Sequence, residues 1–246
     1  MFDHHIAEHY DRWFTTPQGH FALEQEKKLI QSLISGWPRR RQSILEIGCG
    51  TGVFLEMFWE SGFDVYGIDS SVHMLNKARE RLGKKADLHL GSAECLPFDD
   101  NEFDFAAMIT LLEFCRDQKQ VLAEAGRVAR KGLLICFLNK NSLYHINQKL
   151  LRLWRRDGVL VRARWHSYRE VRNMVLEVLG PRKTRTRSVL LGTKIMWRNK
   201  WLCQHLNRTL WPPVIGAFTG MRVDLIDKEP LKTPLLAPVK TQAKAG

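Results

Sequence analysis

Short apolar runs alternate with longer stretches of helical period through the first half of the chain. "SILEI" (43–47), "DVYGI" (64–68), "ADLHL" (86–90), "FDFAAMI" (103–109) and "LLICFL" (133–138) read as strands. The stretches 52–61, 71–82 and 118–129 between them read as helices. Alternation of this kind predicts βαβ units and a parallel sheet covered on both faces. Strands rich in Ile, Leu, Val and Phe suit burial on both sides. A further helix near 20–35 precedes the sheet, with Phe21, Leu29, Leu33 and Ile34 as its packing positions.

After Leu138 the rhythm changes. Residues 143–156 set Leu143, Ile146, Leu150, Leu153 and Trp154 on one helical face, with Lys149, Arg152, Arg155 and Arg156 around the rest. "SYRE" (167–170) has the spacing of a capping box, with Ser167 at the cap and Glu170 three residues on. Tyr168, Val171, Val175 and Val178 are the inward stripe of that helix, and Gly180-Pro181 ends it. "RTRSVLL" (185–191) and "MRVDLI" (221–226) are candidate closing strands, with a basic, Trp-bearing helical segment (194–211) between them. The expected architecture is a doubly wound, Rossmann-like α/β domain. Its sheet has seven strands, mostly parallel with the last one antiparallel, and a basic helical cap is inserted after strand five. In sequence this gives an N-terminal lid and helix (1–40), a core (41–138), the cap with closing strands (139–227) and a disordered tail (228–246).

Charge divides the chain in two. Residues 1–138 hold 16 Lys+Arg and 20 Asp+Glu, a balance of −4; residues 139–246 hold 22 and 6, a balance of +16. Five of the eight tryptophans (Trp154, Trp165, Trp197, Trp201, Trp211) fall in the basic part. Such asymmetry suggests an anionic partner, nucleic acid, a lipid surface or an acidic substrate, against the plainer reading of a solvated basic face. The longest apolar run is far short of the roughly 20 residues that a membrane span needs. Five scattered cysteines without a C-x-x-C pair signal neither zinc nor a disulfide framework. With no export signal at the N-terminus, they point to a reducing cytoplasm.

The sharpest motif is "ILEIGCGTG" (44–52), an apolar strand running into Glu46-x-Gly48-x-Gly50-x-Gly52 ahead of a helix. Glycines there let the backbone turn tightly and approach a ligand, and the helix N-terminus presents free N–H groups to it. The dinucleotide pattern G-x-G-x-x-G would place its third glycine at Val53, so the spacing tilts from NAD toward S-adenosylmethionine (SAM). About 20 residues on stands Asp69, where an acid can accept both hydroxyls of a nucleoside ribose, or simply cap the next helix.

"LEIGCGTG", "GIDSSVHMLNKARER" (67–81), "GSAECLPFDDNEFD" (91–104), "LLEFCRD" (111–117) and "LAEAGRVARKG" (122–132), in that order, resemble the successive motifs of class I SAM-dependent methyltransferases. The nearest flavour is the small-molecule branch with the quinone-biosynthesis enzymes (methyltransferase type 11 domain). "AEHYDRWF" (7–14) is similar to that branch's entry segment, and beyond residue 140 only the architecture is shared. The resemblance implies that Glu46 lies by the methionine ammonium of SAM, and that Gly48, Cys49 and Gly50 line its methionine and ribose. Asp69 would hold the ribose, Ser70 and Met74 would lie by the adenine, and Ser92, Ala93 and Glu94 would form the other adenine wall. Thr110, Leu111 and Leu112 would close over the sulfonium, and Tyr10 would belong to a lid. The chain departs from the family in having Ser92 where an Asp is usual and Phe114 where a His is frequent. No N/D-P-P-Y/F motif follows the fourth strand.

Methyl transfer is an in-line displacement on an already activated donor, so positioning the two reactants can supply about 7–11 kcal/mol of barrier lowering. A base is needed only when the acceptor must lose a proton. His20 and His145 are the conceivable ones, although a lone His is more often a surface or packing residue. His5 and His9 have metal-ligand spacing but no third ligand, so no metal is expected. The expected function is SAM-dependent methyl transfer, yielding S-adenosylhomocysteine (SAH), to a small acceptor, apolar or lipid-like, with peripheral contact to an anionic membrane through the basic part. The rivals are a non-catalytic SAM-binding regulator, an RNA methyltransferase and, more distantly, a NAD enzyme. No obligate protein partner is signalled.

Overall fold

A computed structural model of the chain describes residues 11–151, 163–197 and 209–226. Seven strands form one sheet in the order β3-β2-β1-β4-β5-β7-β6. They are β1 (Ser43–Ile47), β2 (Asp64–Asp69), β3 (Ala86–Leu90), β4 (Phe103–Ile109), β5 (Ala129–Leu138), β6 (Lys183–Val189) and β7 (Phe218–Asp224). β1 pairs in parallel with β2 and β4, β2 with β3, and β4 with β5, whereas β7 lies antiparallel between β5 and β6. The sheet is thus the mostly parallel, seven-stranded, Rossmann-like one that the sequence pattern predicts. Its order reverses beside β1, and ligands of open α/β sheets bind at that switch point, outside the carboxyl ends of the strands.

One face is covered by α1 (Pro17–Ile34), α2 (Val53–Glu60) and α3 (Val72–Leu82), the other by α4 (Gln118–Val128) and α6 (Tyr168–Leu179). Thr16 caps α1, accepting from the Gly19 N–H at 3.0 Å, and Pro17 opens the helix where its missing N–H costs nothing. The capping box at Ser167 forms as its spacing predicts, and Val171 and Val175 are buried below it. Trp37 stacks on Phe105 with ring centroids 4.1 Å apart, and Phe63 meets the same ring edge-on at 6.0 Å.

Three details differ from the sequence pattern. β5 starts at Ala129, directly from α4, because Lys131 pairs with Asp104 at 2.9 Å and lets the polar "ARK" enter the sheet. The closing strands begin two to three residues earlier than expected. β6 stops at Val189 because Leu190 turns left-handed (φ 66°). β7 includes Gly220, where a side chain would lie 2.6 Å from Leu33, so the missing Cβ is what lets α1 cross.

The third difference is larger. In α5 (Leu143–Leu151) the apolar stripe faces outward instead of joining the core: Leu143, Ile146 and Leu150 are 57%, 49% and 64% exposed. The buried residue is Tyr144, whose ring packs on Trp197 at 4.6 Å and Trp165 at 5.8 Å. The polar helix start fixes this rotation. Ser142 donates to the Asn139 carbonyl (2.7 Å) and accepts from the His145 N–H (3.2 Å), while Asn139 is tied to the Gly216 carbonyl (3.0 Å). Leu153, Trp154, residues 198–208 of the helical segment expected over 194–211 and the tail from 228 lie outside the described residues, and a 3-10 turn (Lys194–Met196) opens the segment at 194.

Candidate cofactor site

β1 ends at Ile47 and the chain turns through Gly48, Gly50 and Gly52, all with positive φ (72°, 52° and 78°), before α2 begins. The Gly48 and Cys49 N–H groups both donate to the Ile68 carbonyl at the end of β2 (2.7 and 3.1 Å), which pins the loop over the switch point. A Cβ at Gly48 would strike Leu111 at 2.6 Å, whereas at Gly50 it would meet nothing within 4 Å. Leu111 therefore closes one side of the loop, and space stands open over its centre.

Around that space the predicted residues take up distinct positions. Asp69 accepts from the Gly50 N–H at 2.9 Å through one carboxylate oxygen and from the Ser71 N–H at 2.8 Å through the other. Each oxygen keeps a further lone pair for a ribose hydroxyl. Burial raises its carboxyl, against the backbone N–H groups of Ser71, Gly50 and Ser70. Glu46 is buried, with Oε2 lacking any hydrogen-bond partner among the described residues. Its carboxyl is pushed well up by burial and then by Asp69. A buried carboxylate oxygen without a donor is costly unless something supplies one, and an ammonium group would. The left-handed glycines, the open space over Gly50 and this orphaned oxygen fit an adenosyl amino acid. Cys49 is buried, its thiol pushed well up by burial and by Glu46 and Asp69.

On the adenine side Ser70 is exposed and Met74 is buried in the first turn of α3. Ser92 donates to the Glu94 carboxylate at 2.5 Å and accepts from the Glu94 N–H at 3.3 Å. A carboxylate therefore stands beside position 92, with the Ser92 hydroxyl engaged in holding it. Ala93 packs against the second core cluster. Thr110 is left-handed (φ 49°) and donates its N–H to the Cys136 carbonyl at 2.8 Å. Leu112 faces away from the glycine loop, packed with Leu45, Ile47 and Val121 beneath α4. Tyr10, His5 and His9 lie outside the described residues. Asp11, next to Tyr10, accepts from Thr51 of the glycine loop (2.7 Å) and from Arg81 (3.3 Å). Of the two histidines, His20 is exposed and the His145 ring packs on Trp165 at 4.6 Å.

Residues that the motifs do not single out converge at the adjoining ends of β4 and β5. Glu113 is buried, accepting from the Leu138 N–H at 2.6 Å through Oε1 while Oε2 has no partner among the described residues. Burial pushes its carboxyl up to about 7, the backbone N–H groups opposing, and burial does the same for Glu26 of α1. The visible signals are an acid inside the apolar "LLEFC" and another on the Leu23–Ile30–Leu33 stripe of α1. Elsewhere an open groove of about 430 Å³ lies between the start of α4 and α6, lined by Arg116, Gln118, Arg164, His166 and Glu170 among others. It includes none of the predicted cofactor residues.

Residues 45–137 match the family model described as a methyltransferase domain. The malonyl-[acyl-carrier protein] O-methyltransferase of Salmonella typhimurium is 32% identical over 58% of this chain and 57% of its own length. The demethylmenaquinone methyltransferase of Shouchella clausii is 30% identical over 62% of this chain and 70% of its own. The match spans between 23% and 57% of the length of several curated relatives. A SAM-dependent methyltransferase of Thermotoga maritima shares the fold, with a TM-score of 0.71 at 24% identity over 91% of this chain and 98% of that one. With the motif order, the switch-point loop and a relative matched over 70% of its length in agreement, the chain belongs to the SAM-dependent methyltransferase family.

Proposed function

We propose that this protein transfers the methyl group of SAM to a small, lipid-like acceptor that it meets at an anionic membrane surface. The observation that carries the first half is the open glycine loop bracketed by Asp69 and the unpartnered Glu46 oxygen. When bound, SAM would supply an activated methyl group. The chain's own residues do the positioning: Asp69 holds the ribose, Glu46 receives the ammonium, and Leu111 over Gly48 limits the methionine's freedom. Fixing a reactant in this way lowers the barrier by converting a bimolecular encounter into an oriented one. Calorimetry with SAH and NADH in parallel tests the reading. SAH is expected to bind and NADH not; a chain indifferent to both SAM and SAH removes it.

The outward stripe of α5 supports the second half. Leu143, Ile146 and Leu150 are exposed beside Lys149, and α5 starts five residues beyond the end of β5, on the acceptor side of the sheet. Ile195, 72% exposed, follows the Lys194 whose ammonium lies 5.9 Å from the Tyr144 ring centroid of α5. No helix among the described residues is long and apolar enough to cross a membrane. The chemistry is instead that of an interfacial helix: apolar side chains in the headgroup region and cations among anionic lipids. That the Shouchella relative is named for a quinone substrate agrees with an acceptor drawn from lipid. Vesicles containing phosphatidylglycerol should sediment the protein at low salt. Each buried Leu or Ile is worth about 1.5–3 kcal/mol, so I146E with L150E should weaken sedimentation at least tenfold without changing SAH affinity. Indifference to such vesicles, or retention on RNA instead, removes the membrane half and leaves the SAM site standing.

A further inference from the structure

Resting on the reading of the glycine loop as a SAM site, we propose that Lys194 selects the methyl acceptor: its ammonium, set among aromatic rings on the acceptor side, anchors a carboxylate carried by a flat, apolar acceptor.

Three stretches of chain meet at this ammonium. β6 runs parallel to β5 through the intervening β7, and Val189 ends β6 level with Leu138 at the end of β5, both opposite Phe218. The glycine loop leaves β1 at the same edge, because β1, β4 and β5 are parallel to one another. The connection after β5 brings Tyr144 of α5 to that edge, and the connection after β6 brings the 3-10 turn that Lys194 opens. The third stretch is the entry to α1. Trp13 stands two residues after Asp11, whose carboxylate holds the Thr51 hydroxyl of the glycine loop at 2.7 Å. Lys194 Nζ lies 4.5 Å from the ring centroid of Trp13 and 5.9 Å from that of Tyr144. The entry segment thus joins the cofactor loop to the ammonium by direct contacts.

The ammonium itself is incompletely served. It carries three donors, and Lys194 has no hydrogen-bond or ion-pair partner among the described residues. Ring faces attract its charge but offer its N–H groups no oxygen. Lys194 is half-buried, so it is partly stripped of water yet still reachable, and burial lowers its ammonium. A cation in that state gains from an anion that a ligand brings to it. A second donor of the same cluster is also unserved. Trp197 gives its indole N–H to the Leu191 carbonyl at 3.3 Å, whereas the buried indole N–H of Trp165, whose ring lies 5.8 Å from that of Tyr144, has no partner among the described residues.

The surroundings describe the rest of the acceptor. Trp13, Leu138 and Met196 are partly buried apolar side chains packed on the first core cluster, so each keeps some surface open. A flat ring stacks well on a face such as that of Trp13. One ammonium balances one negative charge, which a carboxylate carries; a phosphate ester brings about −1.5 to −2. The plainer role, a clamp between the entry segment and α5, accounts for the ring contacts but makes no demand on the charge of a ligand.

Ligand-observed NMR on the SAH-saturated protein, in which probes cannot occupy the cofactor site, tests this with matched pairs: benzoate and benzamide, 2-naphthoate and 2-naphthamide, indole-3-acetate and indole-3-acetamide. At least one acid should bind about tenfold or more tightly than its amide, the scale of a hydrogen bond to a charged group. Lys194→Met keeps the apolar stem and should bring acid and amide within twofold of each other, with SAH affinity within twofold of wild type. A wild type that prefers none of the acids overturns the proposal, whether or not the variant folds. So does a preference that survives in Lys194→Met, including the case in which that variant instead loses sedimentation with phosphatidylglycerol vesicles and the ammonium serves lipid headgroups. A SAH affinity that falls as far as the preference does marks Lys194 as a clamp and overturns it as well. If the wild type does not bind SAH at all, the SAM reading itself has failed, which is a different result.

Discussion

Replacing Asp69 by Ala is expected to weaken SAH binding between tenfold and about 150-fold, the loss of hydrogen bonds to a charged acceptor being worth about 1.5–3 kcal/mol. Asp69 has two duties, and the experiment has to separate them. Its oxygens hold the Gly50 and Ser71 N–H groups, so the variant also frees two donors in the loop. Loss of affinity alone would not show that the ribose is the partner. The decisive comparison pairs the variant with 2′-deoxy-SAH. Wild type should lose affinity when the hydroxyl is removed; D69A should be indifferent to it, because the acceptor is gone. Equal losses in both proteins would mean that Asp69 only shapes the loop, and an affinity unchanged by D69A would remove its role altogether. Burial raises the carboxyl above its ordinary 3.8, so wild-type affinity should begin to fall on acidification before that value is reached.

The cofactor half of the molecule was legible because each of its features is local. Strand β1, the glycine turn and Asp69 are contiguous in sequence or one βα unit apart, and the apolar runs of β1 to β4 stand in the structure where their pattern places them. Ser92 illustrates the limit of reading by position. The expected acid is missing there, and only the fold shows that Glu94 stands two residues away with the serine gripping it. The two desolvated acids were not legible for a different reason. Glu26 and Glu113 are 87 positions apart in sequence, and what desolvates the first is the packing of α1 against β6 and β7. Nothing in either segment alone says that its acid will be desolvated.

The α5 helix misleads in the opposite direction. Its apolar stripe is genuine, but the rotation of the helix is set by Asn139 and Ser142, three polar contacts that no periodicity records. The structure thereby turns a presumed packing face into an exposed one next to Lys149. The charge asymmetry of the chain acquires a geometric counterpart in this way: exposed Leu143, Ile146 and Leu150 share a helix with the exposed Lys149.

Glu26 and Glu113 should make the unliganded protein less stable as the pH rises. A carboxyl whose folded pKa lies above its unfolded value binds more protons in the folded state, so stability falls with pH between the two values. For Glu113 the window runs from 4.5 to about 7, and for Glu26 it is the same. A shift of that size corresponds to roughly 3 kcal/mol per group once both are ionised. Other groups act in nearby windows. Glu170 is held down at about 2, burial opposed by Lys140 and Ser167, and so exerts its stabilising effect above pH 4.5 with no further change. His166 is lowered by burial, so it adds stability as pH rises toward 6.5 and partly masks the acids. The difference between wild type and E113Q isolates one acid from these. Urea melts of the two should coincide near pH 4, below the unfolded value of 4.5, where Glu113 is protonated in both states like the amide that replaces it. At pH 8 E113Q should be the more stable by up to about 3 kcal/mol. Parallel curves across that range would mean that Glu113 titrates normally. A diverging pair would mean that the fold keeps a desolvated anion against the end of β5 at neutral pH, an arrangement that destabilises the empty protein.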